Sequence, residues 1–66
     1  MLRIDEANEK LGLRIKTKEV DTIGGFISLL MQKIPKENEE TNFGKFKFLV
    51  TKIEKNRIKE IIITKQ

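Results

Sequence analysis

The feature that most constrains the fold is an apolar stripe in the middle of the chain. Its members are spaced alternately three residues and one residue apart, which places all of them on one face of a helix. They are Ile23, Phe26, Ile27, Leu30, Met31 and Ile34. Asp21 or Thr22 can cap the start of this helix, and proline pushes the residue before it out of the α region. The sequence therefore predicts an amphipathic helix that ends at Ile34-Pro35.

A shorter helix is predicted over residues 5–11. Asp5 is a suitable N-cap, and further carboxylates in the first turns meet the positive end of the helix dipole. Ala7 and Leu11 lie four residues apart and share a face. Gly12 can take the left-handed conformation that commonly ends a helix.

The second half of the chain has the apolar period of a β-sheet. Phe46, Phe48 and Val50 alternate with other residues, which predicts a strand with one strongly apolar face. A short strand near residues 40–43 precedes it and turns at Gly44. The polar residues just before that strand, 36–40, are interpreted as a solvated loop.

A last strand is predicted over residues 57–65, after a turn in which Asn56 tolerates a positive φ. The consecutive residues Ile61, Ile62 and Ile63 indicate a strand that is covered on both faces. Two helices followed by two or three strands predict an α+β domain, in which two helices pack on a small antiparallel sheet.

Composition excludes several classes of function. The 66-residue chain has no His and no Cys, which removes disulfides, thiol and imidazole catalysis and ordinary zinc sites. We therefore expect no catalytic residues, no metal site and no enzyme. No apolar run approaches the roughly 20 residues of a membrane span, so we expect no direct membrane insertion by this segment. The net charge of +4 permits contact with nucleic acid or an anionic membrane.

Thr22, Gly24 and Gly25 are the candidate ligand-binding residues, because they open the amphipathic helix. Backbone N–H groups at a helix start can receive a phosphate, and glycine allows a ligand to come close. The alternative is that the two glycines only permit tight packing, and the absence of any recognised phosphate-loop pattern favours packing.

Two other patterns have structural interpretations that we favour. Residues 44–48, Gly-Lys-Phe-Lys-Phe, interleave basic and aromatic residues as some single-strand nucleic-acid binders do. The core of so small a domain needs both phenylalanines, so we expect no nucleic-acid partner. The carboxylates Glu37, Glu39 and Glu40 could suggest a metal site, but they fall in the predicted polar loop.

Five stretches in order resemble the CorC/HlyC transporter-associated domain. They are residues 4–13 (Ile-Asp-Glu-Ala-Asn-Glu-Lys-Leu-Gly-Leu), Asp21-Thr22-Ile23-Gly24-Gly25-Phe26, Leu30 to Pro35, Gly44-x-Phe46-x-Phe48-x-Val50 and Arg57-Ile58-Lys59. Each motif is weak alone, but all five occur at the family's spacing, over almost the whole chain.

The resemblance implies that residues 1–66 are a single domain, the C-terminal fragment of a larger membrane protein. It implies a sandwich similar to part of the FAD-binding region of some flavoproteins (PCMH-type). It also implies a bacterial, cytoplasmic-side module that follows CBS and transmembrane domains in magnesium/cobalt efflux and hemolysin-like proteins. Such a module would modulate ion transport, with adenine nucleotide or FAD as conceivable ligands. The alternatives are an adenine-nucleotide or flavin-binding module and a small basic nucleic-acid-binding protein.

This sequence departs from the family pattern at its start. Members usually carry a β-strand just before the first helix, and here Met1 falls almost at that strand's closing turn. A sheet that lacks an edge strand invites pairing through backbone hydrogen bonds. We therefore expect weak homodimerisation of this fragment.

Overall fold

The computed structural model describes residues 2–66, which form two helices and a three-stranded antiparallel sheet. The elements are α1 (Ile4–Leu11), α2 (Ile23–Met31), β1 (Glu40–Phe43), β2 (Phe46–Glu54) and β3 (Arg57–Lys65). The strands lie in the order β1-β2-β3, so β2 is central and β3 is an edge strand. The predicted α+β class is confirmed. Neither described helix is long and apolar enough to cross a bilayer.

The core lies between α2 and one face of β2. Phe48 and Val50 of β2 and Ile23 and Ile27 of α2 are all completely buried. The Phe26 ring meets the Phe48 ring edge-on, with the ring centroids 6.5 Å apart. Alternate side chains of β2 therefore pack against α2, as the period of two in the sequence predicts.

The opposite face of the sheet is open, and the prediction that β3 is covered on both faces is wrong. Ile61 and Ile63 pack against the core, but Ile62 between them is 53% exposed. Ile62 pairs with Leu49 across the strands, on the face that carries no helix. β-Branched residues are common in strands whether or not they are buried. The strand propensity of isoleucine therefore accounts for Ile62, which is not covered.

The helix α2 ends earlier than the proline predicted. Its last residue is Met31, and Gln32 takes a left-handed conformation with φ of 57°. The chain then leaves the helix, so Ile34 is 56% exposed while Pro35 is completely buried. Proline excludes Ile34 from the α region, but the last helical residue, Met31, already lies three residues before Ile34.

The starts of the two helices are joined by backbone hydrogen bonds. The Ile4 N–H donates to the Asp21 carbonyl oxygen at 2.8 Å, and the Ile23 N–H donates to the Leu2 carbonyl oxygen at 3.0 Å. The residue that caps α1 is therefore Arg3, in extended conformation, and the prediction of Asp5 as N-cap is wrong. The predicted end of α1 is confirmed, because Gly12 is left-handed.

A paired hydrogen bond holds the segment that follows α1. The Asn8 side-chain amide donates to the Ile15 carbonyl oxygen at 3.0 Å, and its oxygen accepts from the Ile15 N–H at 3.1 Å. This amide thus replaces a strand partner for Ile15. Leu13 and Ile15, held in this way, are both only 4% exposed and belong to the core.

Residues 36–39 form the solvated loop that the sequence predicts, and Glu40 begins β1. Two carboxylates of this exposed loop are nevertheless anchored by hydrogen bonds. The Glu37 carboxylate accepts from the Ile53 N–H at 3.1 Å, where β2 carries a register irregularity. The Glu39 carboxylate accepts from the Lys33 Nζ at 2.7 Å and from the Lys36 N–H at 2.6 Å. The hydrogen bond from Lys33 and then that from the Lys36 N–H lower the pKa of Glu39 from its usual 4.5.

Changing Asn8 to Asp tests the paired hydrogen bond, because a carboxylate keeps the shape but cannot donate to the Ile15 carbonyl. We expect Asn8→Asp to lower the free energy of unfolding by about 1–3 kcal/mol, as measured by urea denaturation. The matched control is Asn42→Asp at an exposed position of β1, which should change stability little. Equal stability of the two variants would show that the amide pairing is unimportant.

Changing Glu39 to Gln tests the anchored carboxylate. Its folded-state pKa is lowered, so its stabilising effect is present above the unfolded pKa of about 4.5 and is lost as the pH falls through the folded value. We expect Glu39→Gln to be less stable than the parent chain near pH ~7 and to approach it near pH ~3. Denaturation midpoints at both pH values measure this. A constant difference between parent and variant would contradict the assignment.

Candidate functional site

The three candidate residues line one cleft, at the start of α2. The cleft has a volume of about 340 Å³. Its other side comes from the turn between β2 and β3. The lining residues are Thr22, Gly24, Gly25, Ser28, Asn56, Arg57 and Ile58. The fold therefore brings together the residues that the sequence singled out and adds residues from the far end of the chain.

Thr22 is the N-cap of α2, one of the two residues predicted for that position. Its backbone is extended, and its hydroxyl accepts from the Gly25 N–H at 3.1 Å. Its carbonyl oxygen accepts from the Phe26 N–H at 2.9 Å. One of the N–H groups expected to face a ligand is thus already bonded within the helix cap.

Gly25 is closely packed. A Cβ at this position would lie 3.1 Å from the Val20 Cβ and 3.3 Å from the Thr22 Oγ1, closer than side chains normally approach. Gly24, its neighbour, is buried. The structure therefore supports the packing interpretation for Gly25, and a larger residue there would disturb the chain before α2 as well as any bound group.

Arg57 is the residue of this cleft that the sequence did not reveal. It is exposed at the start of β3 and lines the cleft opposite the start of α2. Among the described lining residues it is the only charged one. A guanidinium beside the positive end of a helix favours an anion, and phosphate or carboxylate fits both partners. Asn56 predicted the turn between β2 and β3. No local sequence pattern predicts that this turn lies beside α2.

The alternation of lysine and phenylalanine does not form a base-stacking surface. Phe48 is completely buried and Phe46 packs against the core, which confirms the interpretation that both belong to the core. Lys47 lies between them on the other face of the sheet and its Nζ is 3.2 Å from a Glu40 carboxylate oxygen. Lys47 and the two phenylalanines therefore lie on opposite faces of the sheet.

The loop carboxylates do not converge on one point. Glu37 faces the backbone of β2, Glu39 contacts Lys33, and Glu40 contacts Lys47. Within residues 2–66, no group of three His, Cys, Asp or Glu side chains is arranged to hold a metal ion. These contacts assign the three carboxylates to the packing of the loop and of the sheet.

Among curated proteins, the chain is similar to transport proteins. The chain is 38% identical over 45 residues to the polyamine export protein of Escherichia coli K12, and the same values hold for that of Salmonella typhimurium. The matched segment is 68% of this chain and 10% of the relative. The chain thus corresponds to about a tenth of the length of the curated relatives it matches.

Comparison with solved structures gives the same fold. A CorC-associated region from Neisseria meningitidis MC58, named for Mg²⁺ and Co²⁺ transport, superposes with a TM-score of 0.92 at 25% identity, covering 98% of this chain and 80% of that one. A CorC_HlyC domain from Haemophilus ducreyi gives a TM-score of 0.87 at 24% identity, with the same coverage. The sequence profile of CorC_HlyC, the transporter associated domain, matches residues 1–66. The chain therefore belongs to the CorC_HlyC transporter-associated domain family.

Proposed function

We propose that this chain is a non-catalytic regulatory domain that modulates divalent-cation transport, of magnesium or cobalt, by a CBS-containing membrane protein. The observation that carries the proposal is the family match over residues 1–66. In this proposal the domain acts on the cytoplasmic side of the membrane, where it contacts the CBS and transmembrane domains of the same polypeptide. The lack of His and Cys supports a role without catalysis.

Such a domain changes transport only if it contacts its neighbours differently in two states of the transporter, because a shift in an equilibrium is limited by the difference in binding free energy. The C-terminal end of α2 is a surface suited to such contacts. Leu29 and Leu30 are 40% and 38% exposed, and Ile34 beyond them is 56% exposed. We propose that this apolar end of α2 packs on a neighbouring domain of the longer protein.

A homodimer belongs to the same proposal. The outer edge of β3, nine residues long, has no strand partner in the part of the chain that the structure describes. Free N–H and C=O groups along such an edge can pair with a second copy.

Transport measurements test the regulatory role in the full-length protein that contains this domain. We expect deletion of the domain to leave Co²⁺ efflux from loaded cells measurable but to change its rate severalfold, and Leu30→Lys to produce part of that change. The matched control is Ile62→Lys, which makes the same change at an exposed apolar residue on the open face of the sheet. Complete loss of efflux on deletion would make the domain part of the transport path, and an unchanged rate would exclude regulation.

The polyamine exporters among the relatives favour a second cargo. Measuring putrescine export in the same cells distinguishes a polyamine cargo from a divalent-cation cargo. A deletion that alters putrescine export and leaves Co²⁺ efflux unchanged would assign the domain to a polyamine transporter, while the reverse supports divalent cations.

We further propose that the cleft lined by Thr22, Gly24, Gly25 and Arg57 binds the phosphate of an adenine nucleotide or of FAD. The cleft volume of about 340 Å³ accommodates the phosphate end of such a ligand, and the positive end of α2 favours its charge. Arg57 supplies the complementary cation.

Arg57→Gln tests this ligand site better than a change of Gly25, since Arg57 is exposed and Gly25 is closely packed. In titrations with ADP and with FAD, we expect Arg57→Gln to weaken binding about tenfold. Lys59→Gln, two residues further along β3, removes the same charge outside this cleft and should leave affinity unchanged. Equal affinity of Arg57→Gln and the parent chain would remove this site.

A further inference from the structure

A second cleft lies at the other end of β2 from the start of α2. It has a volume of about 460 Å³, within the range of small-molecule sites. Three parts of the chain form it: the end of α1 with the residues that follow, the turn between β1 and β2, and the end of β3. None of the candidate residues Thr22, Gly24 and Gly25 takes part in it.

The charged residues that line this cleft are all basic. They are Arg14, Lys45 and Lys65, one from each of the three parts, and all three are exposed. Within residues 2–66, none of the three forms an ion pair. Like charges around one cleft repel one another, and an anion in the cleft would relieve that repulsion.

The backbone brings two of these basic residues to the same end of the sheet. Lys65 is the partner of Phe46 in the ladder between β2 and β3. The Gln66 N–H donates to the Lys45 carbonyl oxygen at 2.6 Å, which continues the pairing past the end of the strands. Lys45, in the turn before β2, and Lys65, the last residue of β3, therefore lie at the same end of the sheet.

The rest of the lining includes an apolar surface. Leu11 is 40% exposed, although Ala7, one turn before it on α1, is completely buried. Phe43 and Phe46 are half-buried and contribute their accessible parts to the cleft. Edge-on contact with Phe26, at 5.1 Å between ring centroids, fixes the Phe43 ring from its buried side.

Two glycines line the cleft. Gly12 and Gly44 both have a positive φ, of 74° and 60°, in the helix cap and in the strand turn. A Cβ added at either one would meet nothing within 4 Å. Conformation, rather than lack of space, explains both glycines, and the volume beside them is free for a ligand.

From this combination we infer that the cleft binds a small organic anion in which a phosphate or carboxylate is attached to an apolar or aromatic group. The anionic group contacts the three cations, and the apolar part lies on Leu11, Phe43 and Phe46. The anionic group alone binds more weakly because it leaves the apolar surface exposed to water. The apolar group alone also binds more weakly, because it leaves the cations without a charged partner. The inference does not depend on the transport role.

The test uses 1-naphthyl phosphate as the probe, with inorganic phosphate and 1-naphthol as its two halves. Binding is followed through the amide signals of the 66-residue chain by NMR. We expect saturable shifts at Gly12, Gly44 and Lys65, and binding at least about tenfold tighter for 1-naphthyl phosphate than for either half. Absence of saturable binding, shifts confined to Thr22–Gly25, or equal binding of inorganic phosphate would each overturn the inference.

Charge-removing variants test which basic residues bind the anionic group of the probe. The double variant Arg14→Gln/Lys45→Gln, at two exposed positions, should weaken binding of the probe about tenfold or more. Two matched controls, Lys18→Gln and Lys59→Gln, remove the same charge at exposed positions outside this cleft and together should leave affinity unchanged. If the control pair weakened probe binding equally, the loss of affinity would follow from the lower net charge alone, and the proposed site would be wrong. An unchanged amide spectrum away from the cleft verifies that each variant is folded.

A vesicle measurement distinguishes the source of the anion. Sedimentation with phosphatidylcholine vesicles, with and without phosphatidylglycerol, shows whether a lipid phosphate also occupies the cleft. Binding to the anionic vesicles that the double variant abolishes supports a lipid as the source. Binding of the soluble probe without binding to vesicles supports a free metabolite.

Discussion

The contact between α2 and the buried face of β2 is the constraint on which the whole structure depends. A 66-residue chain without Cys or His has no cross-link or zinc site to stabilise it, and a domain of this size buries only about 60% of its unfolded surface. Phe48 and Val50 on one side and Ile23 and Ile27 on the other are completely buried. Each side chain of this layer contributes about 1.5–3 kcal/mol, and the other buried residues, Ile4, Ala7, Leu13, Ile15 and Phe26, belong to the same core cluster.

The same layer positions both clefts without taking part in either. The central strand β2 leads from the turn beside Lys45 to the turn before Arg57, so its packing under α2 fixes the two ends of the molecule relative to each other. The charged side chains at those ends are exposed and contribute little to the core. Arg57, Arg14, Lys45 and Lys65 are exposed, so these charges can be changed with little effect on the buried layer.

Short-range rules accounted for much of the fold. The two apolar periods distinguished helices from strands, because each period follows from backbone geometry alone. The Thr22 cap, the left-handed Gly12 and the turn at Asn56 were also predicted, since each depends on one residue and its immediate neighbours. The candidate residues at the start of α2 were found for the same reason.

The features that sequence reasoning missed all depend on which surfaces meet. Ile62 and Ile34 are exposed because no helix covers the outer face of the sheet and because α2 ends at Met31. Arg57 reaches the α2 cleft only because the hairpin folds back to that helix. The sequence by itself determined the elements, their order and most of their ends, through local sterics and periodicity. Tertiary structure alone decided which apolar faces are covered and which distant charges share a cleft, because those depend on contacts between segments far apart in the chain.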